Sequence, residues 1–423
     1  MHNWAENRQL TPREIVSPCS IDELRHTVAA ADAVGVIGIT HSFTDVFNDR
    51  GTLVRLDQMP RDVVIDDERG TAVVAAGVAY SELAQILHAR GWAVANLPSL
   101  PHVTVGGAVS TGTHGSGVRL RGLADSVQAV RYVIGNGEMR LFSRTQDRET
   151  FYGSVVALGA LGVAVDYTIA LIPSFEVSQS VLTDLTVDDL ERDVADMLAS
   201  AYSVSVFTDW SENTSVFLKE SSGATDRRGK GARWVGGVLA ESQVPHVPGE
   251  TTDGMTPQLA EPGPWFERLP HLLASAILAA RTELQSEYFV PAEAGESAIR
   301  ALRGRAQEFS GCLQVSEVRA VRADEHWLSP AYGRDTISLH FTWRWDPAAV
   351  TEVIPVVEET LRPFNPRPHW AKLHELAPEY LAGEYPQLGR FHDLVSEVDP
   401  IGKFRSPLVA RLLDVAGSPA VSE

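Results

Sequence analysis

The stretch whose reading decides the fold is Ser99-Leu100-Pro101-His102-Val103-Thr104-Val105-Gly106-Gly107-Ala108-Val109-Ser110-Thr111-Gly112-Thr113-His114-Gly115-Ser116-Gly117. Small and hydroxylated residues crowd it, so backbone N–H groups and hydroxyls can approach a phosphate or a flat ring with few side chains in the way. A flexible Gly/Ser linker has a similar composition. Linkers seldom interleave their glycines with Val, Thr and His at fixed places, however, and ligand binding is the stronger reading. The stretch lacks the Gly-Lys-Ser/Thr ending of a P-loop and the Gly-x-Gly-x-x-Gly spacing of a dinucleotide turn, so a nucleotide here is held in another way.

Upstream, Ser20 with Glu23 spells a capping box, and Leu24, Val28 and Ala31 follow at helical spacing. Val34 to Ile39 then reads as a strand, and Gly38-Ile39-Thr40-His41-Ser42 follows it, placing His41 at the strand's carboxyl end. A lone loop histidine is usually a surface or packing residue. Ala72 to Ala76 reads as a strand, followed by a helix with Leu83, Ile86 and Leu87 on one face that stops before Gly91. Downstream, Val127 to Phe142 reads as a hairpin turning at Gly135-Asn136-Gly137, followed by a short helix and the strand Val163 to Leu171. These mixed elements make a self-sufficient first domain that ends near Pro173.

From about Ser221 to Pro264 the chain is rich in Gly, Pro, Ser and Asp and reads as a long surface loop, of which no chemistry is expected. Strand-like runs return from Leu284, including Leu313 to Val321 and Thr336 to Trp343, with a helix from Ala349 to Leu361. They build a second sheet covered by helices. On a strand of period two, Glu317 and Arg319 share a face, as do His340 and Thr342. By themselves Glu317 and Arg319 are equally compatible with a solvated cross-strand ion pair, and Lys372 with an ordinary surface lysine.

At 423 residues two domains are expected. Acidic residues outnumber basic ones 55 to 36, which repels phosphate backbones and anionic lipid and favours a small neutral partner. Cys19 and Cys312 are too few for a disulfide framework and have no zinc-site spacing. The segment MHNWAENRQL is not a secretory signal, and no stretch offers the roughly 20 apolar residues of a membrane span, so the cytoplasm is the default location.

Taken together, the His41-Ser42 pair and the Ser99 to Gly117 stretch resemble those of the vanillyl-alcohol oxidase type of FAD-binding protein. Within it the chain is most similar to the alditol oxidases, relatives of the aldonolactone oxidases. The resemblance runs from Asn3-Trp4 to Asp399-Pro400-x-Gly402-Lys403-Phe404 and includes Glu283-Leu-Gln-Ser-Glu-Tyr288, Trp327-Leu-Ser-Pro-Ala-Tyr-Gly333, His340-Phe-Thr342-Trp343 and Arg367-Pro-His-Trp-Ala-Lys372. It implies a two-domain α+β flavoprotein. Residues 1–175 would form the FAD-binding domain, 176–380 a substrate domain on a mainly antiparallel sheet covered by helices, and 381–423 a segment returning to the first domain.

The resemblance implies FAD attached covalently through His41 and contacted by Val36, Ile37, Gly38, Ile39, Thr40 and Ser42. Further cofactor contacts are implied for Ser99, Thr104, Gly107, Ala108, Val109, Ser110, Thr111, Gly112, Thr113, His114, Ala164 and Lys403. Ser99, Glu317, Arg319, His340, Thr342 and Lys372 would bind substrate. Arg319 and Lys372 would stabilise alkoxide character, and His340 would accept the hydroxyl proton. The implied reaction oxidises the terminal hydroxyl of an alditol such as xylitol or sorbitol to the aldose, by hydride transfer to flavin N5 and reduction of O2 to H2O2. An aldonolactone oxidase or dehydrogenase on the same scaffold is the alternative. No metal and a monomeric protein are expected. Two departures stand out. The family's Gly-x-Gly-His-Ser is Gly38-Ile39-Thr40-His41-Ser42 here, and β-branched Thr40 resists positive φ. Pro98 also departs from the alditol oxidases, at a position that the resemblance implies faces the flavin edge where oxygen arrives.

Overall fold

The computed structural model describes residues 1–48, 50–222, 236–276 and 282–417; part of the Ser221 to Pro264 loop and residues 418–423 of the C-terminal segment lie outside them. Near the amino terminus Ser20 caps the helix Ile21–Ala30 by accepting from the Glu23 N–H. The Glu23 carboxylate turns to the Cys19 N–H, so only half of the predicted capping box forms. The helix leads into a three-stranded parallel sheet ordered Glu14–Val16, Thr52–Arg55, Val34–Ile37. Beside it stands a five-stranded antiparallel sheet ordered Val63–Asp66, Thr71–Ala75, Val163–Ala170, Val127–Val133, Met139–Ser143. Its hairpin turns at Gly137, whose φ of +83° suits only glycine without strain.

The other main body is an antiparallel sheet of nine strands among the described residues. Its centre runs Thr214–Ser222, Ser203–Thr208, Leu313–Val321, Thr336–Arg344, Glu283–Pro291. Period-two alternation splits these strands. Leu284, Tyr288, Val318, Leu339, Phe341 and Trp343 are buried in the main core, with Phe341 and Trp343 stacked at 5.2 Å. The helices Val187–Ala199, Gly295–Gly304 and Pro347–Leu361 bury Leu190, Val194, Ile299, Leu302, Ile354 and Val357 in the same core. The opposite face therefore carries Glu287, Glu317, Arg319, Ser338, His340 and Thr342.

After the helix Leu388–Val398 the chain returns to the first sheets: the Val34 N–H donates to Lys403 O at 2.9 Å and Arg140 pairs with Glu397 at 2.6 Å. Among the described residues no helix is long and apolar enough to cross a membrane.

Candidate active site

Strand register assembles the polar face. Glu287 lies directly opposite His340, and His340 directly opposite Glu317 on the third strand. Glu287 is fully buried and accepts four hydrogen bonds. Oε1 takes Arg319 Nη2 at 2.6 Å, Ser338 Oγ at 2.7 Å and His114 Nε2 at 3.1 Å; Oε2 takes Lys372 Nζ at 2.6 Å. Burial alone would raise its pKa, but the charges of Arg319 and Lys372 hold it well below the usual carboxylate range. His369 joins His114 and Glu287 with ligand atoms within 4.8 Å of one another. That carboxylate is already neutralised by two cations, which would repel a metal ion, so the trio forms part of an ion-pair network. Glu283-Leu-Gln-Ser-Glu-Tyr288 is part of the resemblance, but sequence reading gives Glu287 no role, although an acid within that alternating run is the signal.

Glu317 is held less completely. Its Oε1 accepts from His271 Nε2 at 2.7 Å. Among the described residues its Oε2 has only two long neighbours, His340 Nδ1 and Arg319 Nε, each at 3.4 Å, and Arg319 Nε is too misaligned for a hydrogen bond. Oε2 therefore keeps acceptor capacity toward the cavity. Burial opposes ionisation here too, but Arg319 and then His271 keep the Glu317 pKa well below normal. Arg319 Nη1 donates to Ser99 Oγ at 3.2 Å, which ties the opening stretch to the sheet. His340 Nε2 is buried without a partner. Burial, followed by the nearby Lys372 charge, lowers the His340 pKa to about 4, so the ring is neutral at pH 7.

The loop after the Val34–Ile37 strand forms another wall. Thr40 does take positive φ, +57°, although its branched side chain resists it. Neighbouring contacts hold it there: the Trp4 N–H donates to Thr40 O at 2.9 Å, and Asn3 Nδ2 donates to Ser42 O at 2.9 Å. Trp4 lies over the His41 ring with centroids 4.3 Å apart. His41 Nδ1 is buried and unpaired, and burial, followed by Lys372 and His102, lowers the ring's pKa to about 4. Gly38 passes so close to the opening stretch that a Cβ there would lie 2.8 Å from Thr104 Oγ1.

A cavity of about 840 Å³ connects these walls, lined by Val36 through Ser42, by much of Ser99 to His114, by Ala164 and by the polar face of the large sheet. Its size is at the upper end of the roughly 300–1,000 Å³ of ligand pockets. The residues fit FAD: glycine-lined backbone permits close approach, and buried, unpaired His41 Nδ1 and His102 Nδ1 offer polar contacts. Ser99, Glu317, Arg319, His340, Thr342 and Lys372 all line this one cavity. Three residues expected at the cofactor do not. Val109 points into the core, and Gly112, φ +71°, packs on Pro330. Lys403 Nζ donates to Val28, Ala29 and Gly135 carbonyls, where it neutralises the carboxyl end of the Ile21–Ala30 helix. The loop from which no chemistry was expected supplies His246 and Met255 to the wall, and His271 lies just beyond it.

Comparison with known proteins agrees with this geometry. A family model described as an FAD binding domain matches residues 12–143, and one for D-arabinono-1,4-lactone oxidase matches residues 278–412. The chain is 40% identical to an alditol oxidase of Streptomyces sp. over 97% of its own length and 98% of the relative's. It is 25% identical to the L-gulonolactone oxidase of Mus musculus over 95% of each chain. Crystalline 6-hydroxy-D-nicotine oxidase of Arthrobacter nicotinovorans superposes with a TM-score of 0.71, at 17% identity, over 96% of this chain and 93% of that one, so the two share a fold. The fold is the two-domain α+β arrangement of vanillyl-alcohol oxidase-type flavoproteins.

Proposed function

The chain belongs to the alditol oxidase family of FAD-dependent oxidoreductases, and from that premise we propose that its cavity oxidises the terminal hydroxyl of an open-chain polyol to the aldose with oxygen as acceptor. One observation carries the reading: a carboxylate oxygen with spare acceptor capacity, Glu317 Oε2, faces the same cavity as two buried cations, Arg319 and Lys372. That combination suits adjacent hydroxyls, which both donate and accept. FAD would be held by Val36–Ser42 and Ser99–His114 and would supply the two-electron acceptor of the reaction, with oxygen reduced to hydrogen peroxide.

The chain's own residues manage charge and protons. As the carbinol carbon is oxidised its oxygen gains negative charge, which Arg319 and Lys372 stabilise from fixed positions. Both are anchored by Glu287, so neither must reorganise during the reaction. With Nδ1 turned to Glu317 Oε2, neutral His340 presents an unprotonated Nε2 that receives the hydroxyl proton. Neutral His41 is the residue through which we propose the flavin is bonded covalently.

A substrate panel with peroxide detection tests the reaction, with xylitol and sorbitol expected to exceed gulono- and galactonolactone in kcat/KM. The lactone oxidase match over residues 278–412 favours the second reading, and preference for lactones would establish it. Anaerobic polyol must bleach the yellow oxidised spectrum; a protein that merely binds sugars would leave it unchanged. Acid-denatured protein should stay yellow, with the mass of FAD on the His41 peptide, whereas free FAD in the supernatant would exclude the bond.

A further inference from the structure

On the same sheet face, in the Thr214–Ser222 strand, stands Lys219, 1% exposed. Its Nζ donates to Leu269 O at 2.6 Å and Pro270 O at 3.3 Å, and lies 3.3 Å from His271 Nδ1. An ammonium has three donors and no acceptor, so a charged Lys219 obliges His271 Nδ1 to accept. The ring proton must then sit on Nε2, the atom 2.7 Å from Glu317 Oε1. The reverse tautomer would set a bare nitrogen lone pair against a carboxylate. The segment that Lys219 grips also holds the opening stretch, because the His271 N–H donates to Ser99 O at 3.0 Å.

We propose that Lys219 is a positioning residue for the polyol site, fixing His271 as its Nε2–H tautomer and bracing the segment that orients Glu317 and Ser99. The proposal rests on the polyol reading of Glu317 and Ser99. The anchoring explains why Glu317 presents Oε2, and not Oε1, to the cavity: His271 occupies Oε1. Among the described residues the charged and titratable groups facing Lys219 are His271, His246, Glu317 and Arg319. Burial lowers the Lys219 pKa to about 7 against the opposing pull of Glu317, so its ammonium is lost as pH rises through that value. A neutral amine can accept from His271 Nδ1, and the ring is then free to turn its proton away from Glu317.

Two measurements on the full-length, flavin-loaded protein decide the matter. Histidine-selective 15N correlation spectra, with His271 assigned by substitution, should show wild-type Nε2 protonated and Nδ1 bare at pH 6. Binding of xylitol to the anaerobic protein with its flavin already reduced, so that no hydride can be transferred, should weaken in calorimetry between pH 6 and pH 9 as pH rises through about 7. In Lys219→Met the affinity at pH 6 should fall about tenfold, the value of one well-made hydrogen bond, and the step near pH 7 should disappear. A purely packing role would leave that step in place. Protonated Nδ1 in the wild type, or a variant that keeps both the affinity and the step, overturns the proposal. If Lys219→Met does not fold, the wild-type spectrum alone decides. Failure of the wild type to bind any polyol would instead overturn the substrate reading, while the tautomer would still be read directly.

Discussion

Lys372 reaches Glu287 across 85 residues of sequence, its Nζ donating to Oε2 at 2.6 Å. Arg319 meets the other oxygen of the same carboxylate at the same distance. One buried anion thus sets the position of both cations that face the proposed substrate oxygen. Glu287→Gln removes that charge without changing size and leaves two buried cations competing for one neutral amide. The unfolding free energy should drop by about 3–5 kcal/mol, as when a buried pair loses one partner. Urea unfolding of wild type and variant measures this, and a difference below 1 kcal/mol would show that Glu287 does not organise the site.

Arg319→Ala should slow anaerobic flavin reduction by xylitol roughly a hundredfold, because the guanidinium acts where negative charge develops. Stopped-flow reduction at saturating polyol separates this from binding. A raised KM with an unchanged reduction rate would assign Arg319 to substrate capture alone.

Glu317→Gln replaces one acceptor oxygen with a donor and deprives a polyol hydroxyl of its partner. The kcat/KM for xylitol should fall roughly tenfold to a hundredfold, and any lactone turnover should fall less. Flavin content must be measured alongside, so that lost cofactor is not mistaken for lost recognition. Equal losses for both substrate classes would move the assignment toward lactones.

Thr40→Gly should stabilise the protein by about 0.5–1 kcal/mol. Left-handed backbone costs a residue with a Cβ roughly 1–2 kcal/mol, and the flexibility of glycine in the unfolded chain returns part of that. Covalent flavin content should not change, since wild-type Thr40 already holds the φ of +57° that the loop uses. A lower melting temperature in the variant would mean that the threonine side chain contributes more than its strain costs.

His41 and His340 both titrate at about 4 when folded, chiefly because burial disfavours their charged forms. An unfolded histidine titrates near 6.5. Between those values the unfolded chain binds more protons, so stability rises with pH there. Their contribution is complete above about 6.5 and is lost as pH falls through about 4. The slope of unfolding free energy against pH from 6.5 to 4 should be shallower in His340→Asn than in the wild type, and parallel slopes would contradict a buried neutral His340.

Alternation along a strand is a local property, so the shared facing of Glu317 with Arg319, and of His340 with Thr342, is legible in the sequence. The same holds for the Ser20 cap and the glycine turn at Gly137, where the residue type itself limits the backbone. The density of small residues from Ser99 to Gly117 likewise announces a loop that approaches a ligand closely, because that depends only on which side chains are absent. The partners of each polar side chain are not legible. Glu287, Lys219 and His271 complete the cluster through strand order and a returning segment, and no spacing rule says which strands become neighbours. Lys403 shows the reverse case: a cation within a family motif is drawn to two backbone carbonyls at a helix end and a third in the hairpin turn at Gly135. Thr40 marks the limit most plainly. Local sterics argue against its conformation by a kilocalorie or two, and hydrogen bonds from Trp4 and Asn3, 36 and more residues upstream, hold it there. Sequence alone determined the elements, their faces and the loop that meets the ligand; tertiary structure decided which charges meet, since pairing energy depends on distances that only the assembled sheets define.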